Sequence, residues 1–156
     1  MRPWQRECAD RAANARFMVM ALHRRAGKTE LALKKLLSSA ARNRLDLPTY
    51  FYVAPQLKQA RAIAWARLKQ MVEPLRVHGA IEVSEVDSLV RFLHNGAVVR
   101  IYGADNPDSM RGVRLDGCVV DEVAQIKPAV WEEILRPALS DRAGWAWFIG
   151  TPKGVN

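Results

Sequence analysis

Cysteine is scarce in this sequence of 156 residues. The two that occur, Cys8 and Cys118, lie far apart and show no metal-ligand spacing. Neither a disulfide framework nor a zinc site is therefore predicted, and a reduced, cytosolic setting is the simplest interpretation. No apolar run approaches the roughly 18 to 20 residues of a membrane-spanning helix, and the first residues lack the apolar stretch of a signal peptide. Repeats, low-complexity tracts and Gly/Ser linkers are also missing, so the length predicts one ordinary globular domain.

The charge is strongly unbalanced. Lys and Arg number 24 against 16 Asp and Glu, which gives a formal net charge of +8 and an isoelectric point near 10.0. Such a surplus favours a polyanionic partner such as nucleic acid. A solvated surface that serves solubility would have the same composition, so the charge alone does not decide between the two.

Apolar runs rich in β-forming residues alternate with helical patterns, which is typical of an α/β fold with a mostly parallel sheet and crossover helices. Strands of this kind are predicted at residues 17–22, 49–54, 117–121 and 145–149, and helices after residue 29, from 60 to about 74 and over 128–139. The first strand is apolar throughout, which predicts burial on both faces. Short strand-like pieces at 81–86, 90–93 and 98–102, with a turn at 94–96, predict an antiparallel hairpin.

The strongest single motif lies between the first strand and the first of these helices, at residues 22–29 (LHRRAGKT). A phosphate chain requires backbone N–H groups that converge from a tight turn at a helix N-terminus. Gly27 allows close approach of the backbone, Lys28 can reach the β- and γ-phosphates, and the Thr29 hydroxyl can ligate Mg²⁺. Leu22 replaces the opening glycine of the general phosphate-binding loop (P-loop).

The same loop contains two arginines, Arg24 and Arg25, followed by Ala26. Arg24 precedes Lys28 by four residues, where a guanidinium group could reach the γ-phosphate and stabilise charge in the transition state. A surface arginine near a helix N-terminus is the structural alternative.

Two adjacent carboxylates, Asp121 and Glu122, follow the apolar strand at 117–121. In P-loop ATPases the first acid holds Mg²⁺ through its water shell and the second activates the attacking water. Both would lie at the carboxyl end of a parallel strand, where open α/β sheets bind ligands. The next strand ends in Gly150, Thr151 and Pro152, and a polar residue there could sense the γ-phosphate, although this tripeptide also makes an ordinary turn.

Together these motifs resemble those of the terminase large subunits of tailed bacteriophages. The elements that carry the resemblance occur in the family's order: residues 23–29 (HRRAGKT), 52–55 (YVAP), 111–112 (RG), 115–117 (LDG), 120–125 (VDEVAQ) and 148–154 (FIGTPKG). The resemblance implies a P-loop NTPase of the additional-strand, catalytic-glutamate type. It also implies ATP-driven translocation of double-stranded DNA into a procapsid by a homo-oligomeric ring, with portal protein and the small terminase subunit as partners. The setting would be the cytoplasm of the infected bacterial host.

The resemblance further implies a role for each matching residue. Nucleotide binding falls to Arg24, Arg25, Ala26, Gly27, Lys28, Thr29, Gly150 and Thr151, and Mg²⁺ binding to Thr29 and Asp121. Glu122 is the catalytic carboxylate, Arg24 contacts the γ-phosphate, and Gln5 matches a glutamine that reads adenine. Arg111 is implied as an arginine finger that reaches the neighbouring subunit's nucleotide, with Arg114 as a rival candidate.

The expected organisation is a single ATPase domain over residues 1–156, truncated before a linker subdomain and a nuclease domain, because the sequence stops just after a core strand. No nuclease activity is expected from these residues. Two alternatives stay open at this point. One is a related helicase-type ATPase, which residues 150–152 and the loop arginines disfavour; the other is a remnant that binds nucleotide or DNA without turnover.

Overall fold

The computed structural model describes residues 2–12, 16–23 and 27–151. Its strands are β1 (Phe17–Ala21), β2 (Thr49–Ala54), β3 (Ile81–Ser84), β4 (Leu89–Phe92), β5 (Val98–Gly103), β6 (Gly117–Asp121) and β7 (Trp145–Gly150). Its helices are α1 (Pro3–Ala12), α2 (Lys28–Arg42), α3 (Leu57–Ala60), α4 (Ala66–Val77) and α5 (Arg136–Ser140). Short 3₁₀ turns cover Pro107–Met110 and Val123–Gln125, and π-helical segments cover Arg61–Trp65 and Val130–Leu135. Within the described residues, no helix has both the length and the apolarity to cross a bilayer.

The seven strands form one sheet in the order β1-β7-β6-β2-β5-β4-β3. The first five of these are mutually parallel, whereas β4 runs antiparallel to both β5 and β3. The predicted α/β fold with an antiparallel hairpin is thus confirmed. Because β1, β7 and β6 are neighbours, the segments that follow them emerge side by side at the carboxyl edge of the sheet.

Side-chain alternation along the strands separates two apolar cores, one on each face of the sheet. On one face α2, α3 and α4 pack against the sheet, with buried residues such as Leu33, Leu36, Ala64, Leu68, Tyr52, Val119 and Trp147. The helical run that ends in α5 covers the other face, with Leu135 and Leu139 against Phe51, Val53, Val120 and Cys118. Burial raises the pKa of the Cys118 thiol to about 12, so this cysteine behaves as an inert core residue.

The prediction that β1 is buried on both faces is wrong. Met20 is buried, but Phe17 is 41% and Val19 is 78% exposed. The cause is the position of β1 at the edge of the sheet, where β7 is its only partner among the described strands. Uniform apolarity indicated a strand correctly but did not reveal its place in the sheet.

The helix after β2 also differs from its prediction. It continues through the π-helical segment and α4 to Val77, past Pro74, where the pattern predicted that it would fade. The carbonyl groups of this last turn find partners beyond the helix, since the His78 N–H donates to Pro74 O (3.2 Å) and the Ala80 N–H to Leu75 O (2.9 Å). Leu75 is 39% exposed, so Val72 is the last buried residue of this helix.

A buried ion pair joins loops at the opposite, amino edge of the sheet. The Asp116 carboxylate accepts hydrogen bonds from Arg142 Nη1 at 3.2 and 3.3 Å and from the Thr49 backbone N–H at 2.9 Å. Arg142 Nη2 also donates to the Asp46 carbonyl. The two charged side chains are only 4% and 10% exposed, so each depends on the other for compensation.

Asp116→Ala is expected to lower the free energy of unfolding by about 3–5 kcal/mol, because it leaves the Arg142 charge buried without its partner. Urea denaturation measures the change. Glu73→Ala is the matched control, since Glu73 pairs with Arg76 on an exposed helix surface (side chains 52% exposed) and its loss should not move the midpoint. Equal midpoints for the two variants would contradict a stabilising role of the buried pair.

Candidate active site

Three polar segments meet at the carboxyl edge of the sheet. Lys28 begins α2 just beyond the loop that follows β1, Asp121 ends β6, and Thr151 directly follows β7. The parallel arrangement of these neighbouring strands places the segments together, as the motifs predicted. Lys28 and Asp121 are 7% and 8% exposed, so the site holds two buried charged groups.

Lys28 is the centre of the hydrogen-bond network. Its ammonium group donates to Glu122 Oε1 and, at 2.5 Å, to Thr151 Oγ1, and it lies 3.8 Å from Asp121 Oδ1. The Thr151 hydroxyl is also 2.8 Å from Glu122 Oε1 and donates to it. Lys28, Glu122 and Thr151 thus form a closed triangle of contacts in which opposite charges compensate each other.

Glu122 has an unusual backbone conformation. Its φ and ψ are both 49°, in the left-handed region that non-glycine residues rarely adopt and that is enriched at functional sites. Partial burial opposes the charged form, but the hydrogen bonds from Lys28 and Thr151 outweigh it and lower the pKa of Glu122 below its ordinary value. The carboxylate is therefore charged at neutral pH and engaged by Lys28 and Thr151.

Asp121 is fixed on both of its oxygens. Oδ1 accepts the backbone N–H of Glu122 at 2.9 Å, and Oδ2 accepts the phenol of Tyr52. Burial, with the negative charge of Asp121, raises the pKa of Tyr52 well above its ordinary value, although a hydrogen bond with the Thr29 side chain acts in the opposite direction. The phenol therefore stays protonated and acts as the donor.

A cavity of about 260 Å³ opens onto these groups. Its lining consists of Lys28, Thr29, Tyr52, Ala54, Pro55, Gln59, Ala60, Ile63, Ala64, Asp121 and Glu122. Among the described residues no three His, Cys, Asp or Glu side chains form a complete metal cage. The Thr29 hydroxyl and the Asp121 carboxylate nevertheless fit Mg²⁺, which takes oxygen ligands, typically one or two from protein carboxylates and the rest from substrate phosphates and water.

Gly27 and Gln5 connect the N-terminal helix to this site. Gly27 has φ 77°, a conformation suited to glycine, and the buried Gln5 side chain donates from Nε2 to the Gly27 carbonyl at 3.1 Å. Gln5 Oε1 accepts the backbone N–H of Arg2 at 2.8 Å. Both ends of the Gln5 amide are therefore engaged by backbone groups of the chain itself.

Some of the predicted site residues cannot be located in the structure. Arg24, Arg25 and Ala26 lie outside the described residues, as does Pro152. The Gly150 carbonyl accepts the Leu22 N–H at 2.9 Å, which extends the pairing of β1 with β7 up to the loop.

Arg111 lies apart from the cavity that Lys28 lines. Its Nε donates to Asp108 Oδ1 at 2.8 Å, and its Nη2 lies 3.8 Å from Glu133 Oε2. It borders a separate depression beside Pro137 and Ala138. Its side chain is 51% exposed, so the guanidinium group is accessible from outside the chain.

Known proteins resemble this chain over almost its whole length. No protein-family model matches the chain. The terminase large subunit of Thermus virus P23-45 is 34% identical in an alignment 172 positions long. The alignment covers 99% of this chain and 35% of the relative. The large terminase ATPase domain of Thermus phage P74-26 has a TM-score of 0.76 at 31% identity, over 92% of this chain and 62% of that structure.

The chain belongs to the terminase large-subunit family. It spans about a third of the length of the curated terminase relative and about three-fifths of the P74-26 ATPase domain. The large terminase of bacteriophage HK97 shares the fold, with a TM-score of 0.81 at 16% identity over the whole of this chain and 34% of that structure. The predicted fold type and family are thereby confirmed.

One residue of this candidate site was given no role by the sequence. Tyr52 lies within one of the family-like elements, residues 52–55, but a tyrosine in an apolar strand looks like an ordinary core residue. Its contact with Asp121 depends on β2 lying beside β6, which no local pattern specifies.

Proposed function

We propose that the chain is the ATPase part of a motor that moves double-stranded viral DNA into a procapsid. The observation that carries the proposal is the convergence of Lys28, Asp121, Glu122 and Thr151 at the carboxyl edge of the sheet, beside a cavity that the first three of them line. A relative at 31% identity is itself named as a large terminase ATPase domain, which supports the same activity here.

In this proposal ATP binds by replacing a contact that is already present. Lys28 now donates to Glu122, and a γ-phosphate oxygen would take over that ammonium group because it carries more charge. Glu122 is then free to accept a proton from the attacking water. Thr151 is hydrogen-bonded to both Lys28 and Glu122, so its own contacts would change when that exchange occurs.

The metal-binding role falls to Thr29 and Asp121, which line the same cavity. Mg²⁺ bound there would neutralise charge on the phosphates as it develops during transfer. The chain's own contribution is to present an oriented carboxylate, since both oxygens of Asp121 are already held in place.

The loop residues Arg24, Arg25, Ala26 and Gly27 complete the proposed phosphate site, with Arg24 as a stabiliser of γ-phosphate charge. Adenine recognition by Gln5 would require its amide to exchange a bond that it now makes to Gly27 or Arg2. Gly150 would support the sensing of the γ-phosphate by Thr151, because its carbonyl holds the end of β7 beside Leu22.

The proposed partners follow from the family and from charge. A net charge of +8 suits contact with double-stranded DNA. A homo-oligomeric ring, the portal protein and the small terminase subunit would be the protein partners, and the host cytoplasm the setting. The rate of ATP hydrolysis in the wild type and in Glu122→Gln distinguishes this proposal from a nucleotide binder without turnover.

Lys28→Ala tests whether this cavity is the phosphate site. We expect ATP affinity to fall by on the order of 100-fold or more, because removing one partner of a buried charged contact costs about 2–5 kcal/mol. Calorimetric titration of ATP with MgCl₂ measures it. Lys34→Ala is the control, since Lys34 lies on the same helix but pairs with Glu30 at 3.1 Å on the surface. Unchanged affinity in Lys28→Ala would place the nucleotide elsewhere.

A further inference from the structure

Tyr52 and Asp121 share one face of the sheet at the carboxyl edge. In the register of β2 and β6, Tyr52 is the Cα partner of Val119, and Asp121 is two residues further along. Side chains two apart on a strand point the same way, so Tyr52 and Asp121 are diagonal neighbours facing α2. Long side chains span such a diagonal, and here the phenol reaches the carboxylate.

The phenol of Tyr52 occupies a specific position in the site. It donates to Asp121 Oδ2, whereas Oδ1 is the oxygen that lies 3.8 Å from Lys28 Nζ and accepts the Glu122 N–H. Thr29, which carries the other candidate metal-ligating oxygen, lines the same cavity as Tyr52 and Asp121. Tyr52 therefore holds one of the two side chains that carry the candidate metal-ligating oxygens.

Packing alone would not require a hydroxyl at this place. Tyr52 is 2% exposed, and a phenylalanine would fill the same apolar space without burying a polar atom. A buried hydroxyl needs a partner, and the partner of this one is the Asp121 carboxylate. The hydroxyl thus matches the polar site rather than the core.

We propose that Tyr52 is a positioning residue that holds the Asp121 carboxylate in the geometry needed for Mg²⁺-dependent nucleotide binding. It does not touch the reacting atoms and acts through the carboxylate that it orients. Removing a residue that hydrogen-bonds to a metal ligand typically lowers metal affinity or activity by about 10–100-fold. The inference rests on the proposed function, because Thr29 and Asp121 are metal-binding only if the cavity takes a magnesium nucleotide.

The test is Tyr52→Phe, which removes one oxygen atom and keeps the ring. The probe is the non-hydrolysable ATP analogue AMP-PNP, titrated calorimetrically in excess MgCl₂ and again in EDTA. We expect the ratio of the two affinities to fall by about tenfold or more relative to wild type. The affinity in EDTA should stay within about twofold, since the metal-free nucleotide does not need the oriented carboxylate.

Tyr50→Phe provides a matched control. Tyr50 is also buried on the same face of β2, and its hydroxyl is hydrogen-bonded to Asn43 Nδ2 (2.9 Å) and the Ser39 carbonyl (3.3 Å), on the α2 side of the core. Its loss should leave the ratio unchanged. As a second check, adding Tyr52→Phe to Asp121→Asn should lower the ratio no further than Asp121→Asn alone.

The outcomes separate the inference from the function on which it rests. A wild-type ratio in Tyr52→Phe would overturn the positioning role and leave the ATPase proposal intact. A parallel loss in MgCl₂ and EDTA, or the same loss in Tyr50→Phe, would reduce Tyr52 to a packing residue and overturn the inference. Absence of AMP-PNP binding in the wild type would overturn the proposed function and the inference together.

Discussion

Glu122→Gln is expected to slow ATP hydrolysis by about 10²–10⁴-fold while ATP binding is retained. Glutamine has nearly the shape of glutamate but cannot accept a proton from water. It also lacks the negative charge with which Glu122 now engages Lys28, so the phosphate meets a weaker competitor for that ammonium group. ATP affinity should therefore stay equal or increase. Phosphate release under single-turnover conditions measures the rate, and calorimetry measures the affinity.

Glu132→Gln is the control for this experiment, because Glu132 is exposed on the helical run over 128–140 and lies outside the cavity lining. Two results would contradict the assignment of Glu122. An unchanged rate in Glu122→Gln, while the wild type hydrolyses ATP faster than the uncatalysed reaction, would move the proton acceptor to another group. A wild type that hydrolyses ATP no faster than the uncatalysed reaction would leave this chain as a nucleotide binder at most.

Arg111→Ala is expected to abolish the part of the turnover that depends on contact between subunits. If Arg111 acts as a finger in trans, wild-type turnover per subunit should rise with protein concentration, and the assembled variant should be about 10³–10⁵-fold slower. Arg111 is suited to this because it lies away from its own cavity and is half exposed. Its present contacts with Asp108 and Glu133 are surface contacts that another anion can displace at little cost.

Arg114→Ala decides between the two arginines. Arg114 is exposed in the same loop, so a loss of concentration-dependent turnover in Arg114→Ala with no loss in Arg111→Ala would transfer the role. Turnover that is independent of concentration and insensitive to both substitutions would remove the finger in trans. The chain would then be a self-contained ATPase.

The sequence predicted those parts of the site that depend on local order along the chain. Lys28 and Asp121 could be placed together because each borders an apolar strand, and parallel strands bring such ends to one edge of the sheet. The Tyr52 contact could not be predicted, because it depends on which strands are neighbours and in which register. The exposure of Val19 was missed for the same reason, since an edge strand and a central strand can have equally apolar sequences.

Other features depend on backbone geometry that residue types do not encode. The left-handed conformation of Glu122 has no sequence signal, because glutamate rarely adopts it. The adenine-binding role of Gln5 stays a prediction, and its engagement by Gly27 and Arg2 emerges only from the packing of α1 beside the loop. Roles for the loop arginines stay predictions, as they lie outside the described residues.

The edge position of β1 has a mechanical consequence. Among the described strands β1 is hydrogen-bonded to β7 alone. A backbone movement of the loop after β1 would therefore pass from β1 into the sheet through β7. β7 ends at Gly150, next to Thr151, which already contacts Lys28 and Glu122. In the proposed function, a change in nucleotide state would therefore act twice on the carboxyl end of β7, once through the loop and β1 and once through Thr151, before it reaches β6 and the rest of the domain.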